Sequence, residues 1–185
     1  MAGAAVGAEA VAIRRLTLAM ADPGSGGRAS MVRRGMDYMR VADRVWPITR
    51  RLIKGHTAVY RATGGLIGQR ILGGPPMLLL DHIGAKSGTK RTSPLAYVQD
   101  GDDIVLIASK GGHPKHPGWY HNLRANPDTT IQVGSKRRAV RARVANDTER
   151  GRLWPKVVER YGGYSDYQER TDRKIPLVIL GPRTR

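Results

Sequence analysis

The chain has 185 residues and a mass of 20.3 kDa, which is room for one compact domain and some additional chain. It contains no cysteine, so disulfides, thiolate metal sites and cysteine nucleophiles are excluded. Its 32 Lys and Arg outnumber 15 Asp and Glu, and the net charge of +17 favours an anionic partner: a nucleic acid, a membrane surface or a polyanionic small molecule. No apolar run approaches the length of a bilayer crossing, so we expect no membrane-spanning segment.

The first 55 residues divide into two parts. Residues 1–35 are rich in Ala and Gly, so we expect a disordered lead. Residues 36–55 have apolar side chains at helical spacings with arginines between them, and Pro47 divides them into two short helices. Up to residue 55 there are ten basic and four acidic side chains. This basic amphipathic segment either packs on the main domain, which is the commoner arrangement, or lies on an anionic membrane surface.

From residue 56 to residue 185 the pattern is one of short strands and turns. Helical turns are predicted at 117–123, from Asp147 to Tyr161 and from Ser165. Antiparallel strands with two late helices favour an α+β fold, a small barrel with helical cover. The six predicted strands cover residues 77–80, 94–99, 104–108, 129–133, 139–144 and 175–180.

Two basic loops contain the groups that bind phosphate. The loop at 84–91 combines three cations, a serine and two glycines, and the loop at 109–112 has a lysine before a glycine pair. The first loop is not a P-loop, because Lys86 precedes the second glycine. Each loop alone is more often a solvated turn. Their positions at the ends of neighbouring strands favour one shared polyanion site.

Histidines and serines do not point to hydrolytic chemistry. His113, His116 and His121 have no carboxylate nearby and a lysine among them, which argues against a metal site. No serine lies in a Gly-x-Ser-x-Gly elbow, which argues against a serine hydrolase.

Three tyrosines follow one another at a spacing of three. Tyr161, Tyr164 and Tyr167 either pack on the core or line a pocket mouth and donate hydrogen bonds to a substrate. Asp172 and Arg173, which precede the last strand, are predicted to form a structural ion pair or a cap.

Five motifs stand in order along the body of the chain: Gly84-x-Lys86-Ser87-Gly88-x-x-Arg91-x-x-Pro94-Leu95, Ala108-Ser109-Lys110-Gly111-Gly112, Pro117-x-Trp119-Tyr120-x-Asn122-Leu123-x-Ala125-Asn126-Pro127, Tyr161-x-x-Tyr164-x-x-Tyr167-Gln168 and Thr171-Asp172-Arg173-x-Ile175-Pro176. Together they resemble the deazaflavin-dependent nitroreductase family of actinobacteria over about residues 56–182. The resemblance implies a split β-barrel of six or seven mostly antiparallel strands with flanking helices. It also implies coenzyme F420, an 8-hydroxy-5-deazaflavin, as the cofactor.

What the resemblance implies is an oxidoreductase that transfers a hydride from reduced F420 to a small conjugated acceptor, such as a quinone, an enone or a nitro compound. The phosphate and glutamate tail of F420 are polyanionic, which suits the basic loops. Hydride transfer needs orientation and hydrogen-bond donors rather than a metal or an acid–base dyad. The implied catalytic residues are Tyr164, Tyr161, Tyr167 and Ser109. The implied cofactor contacts are Ala85, Lys86, Ser87, Arg91, Thr92, Ser93, Pro94, Leu95, Ala96, Ile107, Ala108, Ser109, Lys110, Gly118, Trp119, Tyr120, His121, Asn122 and Tyr164.

Two residues depart from the family pattern. Ala85 stands where relatives usually have a basic residue, which removes one contact to the tail. Ala96 stands where nitro-reducing members carry an aromatic residue, which reshapes the acceptor side and argues against nitroimidazole activity in particular.

The alternatives differ in cofactor and in partner. An FMN-binding split barrel is the nearest one, but FMN has no glutamate tail for the lysine-rich loops. A non-enzymatic basic protein that binds membrane or nucleic acid is the other, although the charges are dispersed and no RNA-binding sheet signature is present. We expect a cytoplasmic monomer or homodimer that contacts no nucleic acid. Residues 36–55 are the part that would contact the inner face of the cell membrane.

Overall fold

A computed structural model describes residues 55–68 and 75–183 of the chain. The predicted lead at 1–35 and nearly all of the helical segment at 36–55 lie outside these residues. A helix over residues 55–62 is α1. The other elements are β1 (Met77–Ile83), β2 (Lys90–Asp100), β3 (Asp103–Ile107), α2 (Gly118–Ala125), β4 (Asp128–Val133), β5 (Lys136–Val144), α3 (Asp147–Arg160), α4 (Gly163–Glu169) and β6 (Leu177–Pro182).

Six strands of the described ranges close into one barrel in the order β1-β2-β3-β6-β5-β4, and each neighbouring pair is antiparallel. Successive side chains of a strand point to opposite faces, so alternate residues fill the barrel. The predicted α+β barrel with flanking helices is therefore confirmed, with six strands. The interior is formed by Leu78, Leu80, Ile104, Leu106, Ala108, Ile131, Val140, Ala142, Val178 and Leu180, with Trp119, Tyr120 and Leu123 of α2.

A second apolar cluster lies on the outside of the barrel. Val105 and Ile107 of β3 point away from the interior, as the alternation requires, and α3 and α4 cover them. Leu153 and Val157 of α3 are fully buried in this cluster. The helices thus cover the outer face of β3 and β6, and the three tyrosines of the 161–167 segment pack against this cluster, which includes Val98 of β2.

Several predicted boundaries need correction: β1 continues to Ile83, β5 begins at Lys136, β6 spans Leu177–Pro182, and α4 begins at Gly163 rather than at Ser165. β2 begins at Lys90, not at residue 94, because Lys90 to Ser93 pair with the end of β1 although their side chains are polar. The cap of α3 is Asn146 rather than Asp147: its side chain accepts a hydrogen bond from the Glu149 amide at 2.9 Å. The Glu149 carboxylate in turn accepts one from the Asn146 amide at 3.0 Å, which completes a capping box.

Helix α1 is attached to the barrel by one buried aromatic residue. The Tyr60 hydroxyl donates to the Met77 carbonyl at 2.9 Å and accepts from the Gly134 amide at 3.0 Å. Arg61, next to it, forms an ion pair with Asp81 on β1. No helix in the described part of the chain is long and apolar enough to span a membrane.

Candidate active site

One half of β2 has a neighbouring strand on one side only. β2 pairs with β1 along Lys90–Ala96, but its pairing with β3 covers only Tyr97 to Asp100. β3 ends at Ile107 and the chain turns away. Within the described ranges the segment 90–96 therefore has a strand on one side only. Its outward backbone groups need other partners. Pro94 is tolerated here because an edge position does not require its missing amide proton.

The loop between β1 and β2 lies at the end of this open edge. It is closed by two backbone hydrogen bonds, from the Gly84 amide to the Thr89 carbonyl at 2.9 Å and from the Gly88 amide to the Gly84 carbonyl at 2.8 Å. Gly88 has a φ of +64°, which favours glycine. The loop thus has a defined shape, and the side chains of 85–91 are exposed around it.

The cations of this loop and Lys110 have no acidic partner among the described residues, whereas eight of the sixteen other described cations have one. Arg61 and Arg137 share Asp81, and Arg152 and Lys156 share Asp100. Arg141, Arg143, Arg183 and Lys174 also have acidic partners. In contrast, no acidic residue of 55–68 or 75–183 forms an ion pair with the four cations next to the open edge, which are Lys86, Lys90, Arg91 and Lys110. The region therefore has an excess of positive charge suited to an anion.

The turn after β3 is held in an unusual backbone conformation. Lys110 has a φ of +50°, which is uncommon for a residue other than glycine, and Gly111 and Gly112 follow at +65° and +80°. Ser109 is buried, and no hydrogen bond from its side chain to another described residue is present. A non-glycine residue in this conformation is often part of a binding site.

Arg173 holds this turn in place. Its guanidinium donates to the carbonyls of Ala108 and Ser109 at 3.1 and 2.6 Å and, through Nε, to the His113 carbonyl at 2.8 Å. A fourth contact is to His116 Nδ1 at 3.1 Å. The predicted ion pair or cap formed by Asp172 and Arg173 is therefore wrong, since the arginine binds loop carbonyls instead.

The histidines of this region take part in hydrogen bonds. His113 Nδ1 accepts from the Lys115 amide at 2.9 Å. Burial, then the nearby Arg173, lower the pKa of His116, which keeps its ring neutral to accept from that arginine. No cluster of metal-ligating side chains is present among the residues that the structure describes.

A partly buried polar network that the sequence did not reveal joins α2 to the open edge. The Ala85 amide donates to Asn122 Oδ1 at 2.9 Å, and Asn122 Nδ2 lies 2.8 Å from Nδ1 of His82. His82 Nε2 lies 3.0 Å from the Ser93 hydroxyl oxygen on the unpaired half of β2. His82 was missed because a single histidine in an apolar strand has no spacing signal; only its tertiary contacts distinguish it.

The rings of the three tyrosines contact one another edge to face. Ring centroids are 6.0 Å apart for Tyr161 and Tyr164 and 5.6 Å apart for Tyr164 and Tyr167. The Tyr161 hydroxyl donates to the Tyr97 carbonyl at 2.8 Å. Burial, followed by the neighbouring tyrosines, raises the pKa of Tyr164 far above its ordinary value. All three pack on the outer core, as the first of the two alternatives predicts, and hydrogen bonding to a substrate stays a prediction.

The structure places the other predicted site residues in several different surroundings. Ser87, Ser93, Pro94, Ala96 and Ser109 lie along the open edge or in the loops at its end. Thr92 is already engaged, because its hydroxyl donates to Asp81 at 2.6 Å. The side chains of Leu95, Ala108, Trp119 and Tyr120 pack in the barrel interior, Ile107 lies under the outer helices, and Gly118 and His121 are exposed on α2.

Comparison with known proteins identifies the family. The model of the F420H(2)-dependent quinone reductase family matches residues 52–182. The chain belongs to this family. An F420H(2)-dependent quinone reductase of Mycobacterium tuberculosis strain H37Rv is 50% identical over 135 residues, which cover 71% of this chain and 91% of that protein.

Two solved structures of related proteins agree. An F420-H2 dependent reductase, FDR-A, is 44% identical with a TM-score of 0.53, covering 57% of this chain and 93% of its own. A protein solved as a domain-swapped dimer is 38% identical with a TM-score of 0.55, covering 75% of this chain and 98% of its own. The predicted resemblance, the split-barrel fold, the cofactor F420 and the oxidoreductase class are thus confirmed, with quinone reductases as the matching family.

Proposed function

We propose that F420 binds along the unpaired half of β2 and that its anionic end lies between the 84–91 loop and the Ser109–Lys110 turn. The observation that carries this proposal is that four cations without acidic partners among the described residues, Lys86, Lys90, Arg91 and Lys110, all lie next to this edge. Charge-assisted hydrogen bonds to phosphate and carboxylate oxygens are about twice as strong as neutral ones, which favours this location.

The chain's residues fit such a cofactor without a metal. Lys86, Arg91 and Lys110 bind the phosphate and the glutamate carboxylates, and Ser87 and Ser109 donate from their hydroxyls. When bound, F420H2 supplies the hydride of a two-electron reduction. An acceptor that receives a hydride also needs one proton to become a hydroquinone. The protein holds the reacting groups together, excludes water and donates hydrogen bonds to the developing negative charge.

Tyr164 is the donor that we assign to the acceptor oxygen. Its raised pKa means that the phenol keeps its proton at neutral pH, and no hydrogen bond from its hydroxyl to another residue of the described ranges competes for that proton. Tyr161 and Tyr167 pack against its ring and hold its orientation.

The acceptor enters from the outer face of β2. A cleft of about 1070 Å³ lies there, lined in part by Tyr97, Val98 and Tyr161 and bordered by Lys156 and Arg160 of α3. Ala96 precedes the cleft residue Tyr97 on β2, and we propose that its small side chain favours an acceptor ring larger than a nitroimidazole. A quinone is the acceptor that this space and the family favour.

Titration with F420 and with FMN, followed by tryptophan fluorescence, to which Trp119 contributes, tests the cofactor assignment. Lys86→Ala removes one charge-assisted contact and should weaken F420 binding by roughly tenfold or more. Lys136→Ala is the matched control, since Lys136 is exposed, lacks an acidic partner among the described residues and lies at the opposite end of the barrel. Its F420 affinity should equal that of the wild type.

Other outcomes of the same titration separate the alternatives. Binding and turnover with FMN but not with F420 would establish the FMN-dependent alternative instead. Equal losses in Lys86→Ala and Lys136→Ala would mean that only the overall charge matters, which contradicts the location that we assign.

We also propose that residues 36–55 contact an anionic membrane surface, where a lipid-soluble quinone would be reached. The support is their amphipathic pattern and the ten basic against four acidic side chains up to residue 55. We propose that residues 56–185 form the catalytic domain, in a monomer or a homodimer.

A further inference from the structure

The hydrogen-bond network beneath the open edge has a direction that the backbone sets. The Ala85 amide can only donate, so the Asn122 oxygen must face it at 2.9 Å. The Asn122 NH2 group therefore points to His82 Nδ1, 2.8 Å away, and that nitrogen must be the acceptor. The opposite amide orientation would place NH2 against a backbone N–H.

The hydrogen bond from Asn122 also determines which nitrogen of the His82 ring carries the proton. With Nδ1 as an acceptor, a neutral imidazole carries its proton on Nε2. Burial is the main factor that lowers the pKa of His82 and Arg91 adds to it, so the ring is neutral at physiological pH. Nε2 lies 3.0 Å from the Ser93 oxygen and donates to it.

Ser93 is the last residue in the chain of hydrogen bonds that runs from the Ala85 amide through Asn122 and His82. A hydroxyl has one proton and two lone pairs, and His82 already occupies a lone pair of Ser93. No hydrogen bond from the Ser93 proton to another described residue is present. Ser93 is partly exposed on the half of β2 that has no strand on its second side. Its proton is therefore available to a ligand at that edge.

We propose that His82 is a positioning residue that holds the Ser93 hydroxyl as a hydrogen-bond donor to an acceptor oxygen of bound F420. This inference rests on the proposed binding of F420 at the open edge. With the opposite tautomer, Nε2 would accept the Ser93 proton and the serine would present only lone pairs to the cofactor. The Ala85 amide, Asn122 and His82 thus determine that Ser93 presents its proton to the cofactor, and not a lone pair.

A double-mutant cycle on the F420 dissociation constant tests this coupling. Ser93→Ala and His82→Ala should each weaken F420 binding by about three- to tenfold, the effect of one neutral hydrogen bond. The double variant should bind no more weakly than Ser93→Ala, because His82 acts through the serine. His82→Gln, whose amide nitrogen can donate to Ser93, should recover part of the affinity lost in His82→Ala.

Several results would overturn the inference. An F420 affinity of Ser93→Ala within twofold of the wild type would show that its hydroxyl does not donate to the cofactor. Additive effects in the double variant would show that His82 acts independently of Ser93. If Lys86→Ala weakens binding and Ser93→Ala does not, this inference fails while the proposed function stands. If the wild type does not bind F420, both fail.

The tautomer can be measured without any cofactor. Two-bond ¹H–¹⁵N correlation spectra of the imidazoles at pH 8, with the signal of His82 assigned from its absence in His82→Gln, should show a proton on Nε2 and none on Nδ1. A proton on Nδ1 would contradict the network. The thermal unfolding midpoint, measured for all variants, identifies any loss of affinity that comes from loss of folded protein.

Discussion

Tyr161 and Tyr164 share a ring contact but differ in what their hydroxyls bind. Tyr161 donates to the Tyr97 carbonyl and so attaches the end of α3 to β2. The Tyr164 hydroxyl makes no hydrogen bond within the described ranges, and its raised pKa keeps it protonated. The first hydroxyl therefore contributes to stability, and the second is available for chemistry.

Substitution of each tyrosine by phenylalanine tests this division. Tyr164→Phe should lower kcat for quinone reduction on the order of a hundredfold, the effect of removing one donor to developing charge. Its thermal unfolding midpoint should stay that of the wild type. Tyr161→Phe should lower the free energy of unfolding by about 1 kcal/mol, because the Tyr97 carbonyl loses its partner. Steady-state kinetics and chemical denaturation measure both, and equal effects of the two substitutions would contradict the assignment.

Single residues also show what a sequence can and cannot reveal. The sequence alone singles out Lys86, Arg91 and Lys110 as candidate cofactor contacts, because cations and glycines in a loop form a local pattern. His82 belongs to no such pattern, since its partners Asn122 and Ser93 lie 40 and 11 residues away along the chain. Contacts of this kind arise only when the barrel closes.

The short turn at 110–112 depends on its contact with α4. Gly112 has a φ of +80°, and a Cβ atom added to it would lie 2.7 Å from the Tyr167 carbonyl oxygen. The turn and the helix can approach this closely only because residue 112 has no side chain. The position of Ser109 and Lys110 therefore depends on a glycine that contacts no ligand.

Gly112→Ala should weaken F420 binding by roughly tenfold, a cost of about 1.4 kcal/mol, since the turn must move away from α4. Gly101→Ala is the matched control: Gly101 has a φ of +62°, and nothing lies within 4 Å of an added Cβ atom. Both variants lose stability from the left-handed backbone, by about 1–2 kcal/mol. Only Gly112→Ala should lose affinity, as measured by fluorescence titration; equal affinities would mean that α4 does not position the turn.

At the scale of elements, the existence of the six strands was predictable and their ends were less so. The continuous apolar runs at 77–80 and 104–108 mark strands, because those residues fill the interior or lie under helices. Lys90 to Ser93 do neither, and a polar run next to glycines is typical of a loop. That this run continues β2 depends on pairing with β1, which no local pattern encodes.

Charge is distributed unequally over the whole molecule. Residues 1–55 carry ten basic and four acidic side chains, and the remainder of the +17 net charge belongs to the barrel and its helices. Acidic partners neutralise many barrel cations, but those at the open edge of β2 stay unneutralised by the described residues. The excess charge thus has two separate explanations, an anionic cofactor and an anionic surface.

Flotation with liposomes separates these two contributions. The full chain should float with vesicles that contain anionic lipid and stay at the bottom with zwitterionic ones. A chain without residues 1–51, which retains the family match at 52–182, should not float with either. Flotation of the shortened chain would instead assign the membrane contact to the barrel. If the full chain does not float, the proposed membrane contact of residues 36–55 is wrong.

The half of β2 that has a strand on one side only also bears on self-association of the protein. An exposed strand edge is a template on which a strand of another molecule can pair, and lysine or arginine on an edge hinders such pairing. Lys90 and Arg91 lie at the start of the open segment, beside Lys86 in the adjoining loop. Two copies that approached edge to edge would bring these charges together. The cations that we assign to the cofactor therefore also hinder aggregation through this strand edge in the cofactor-free protein.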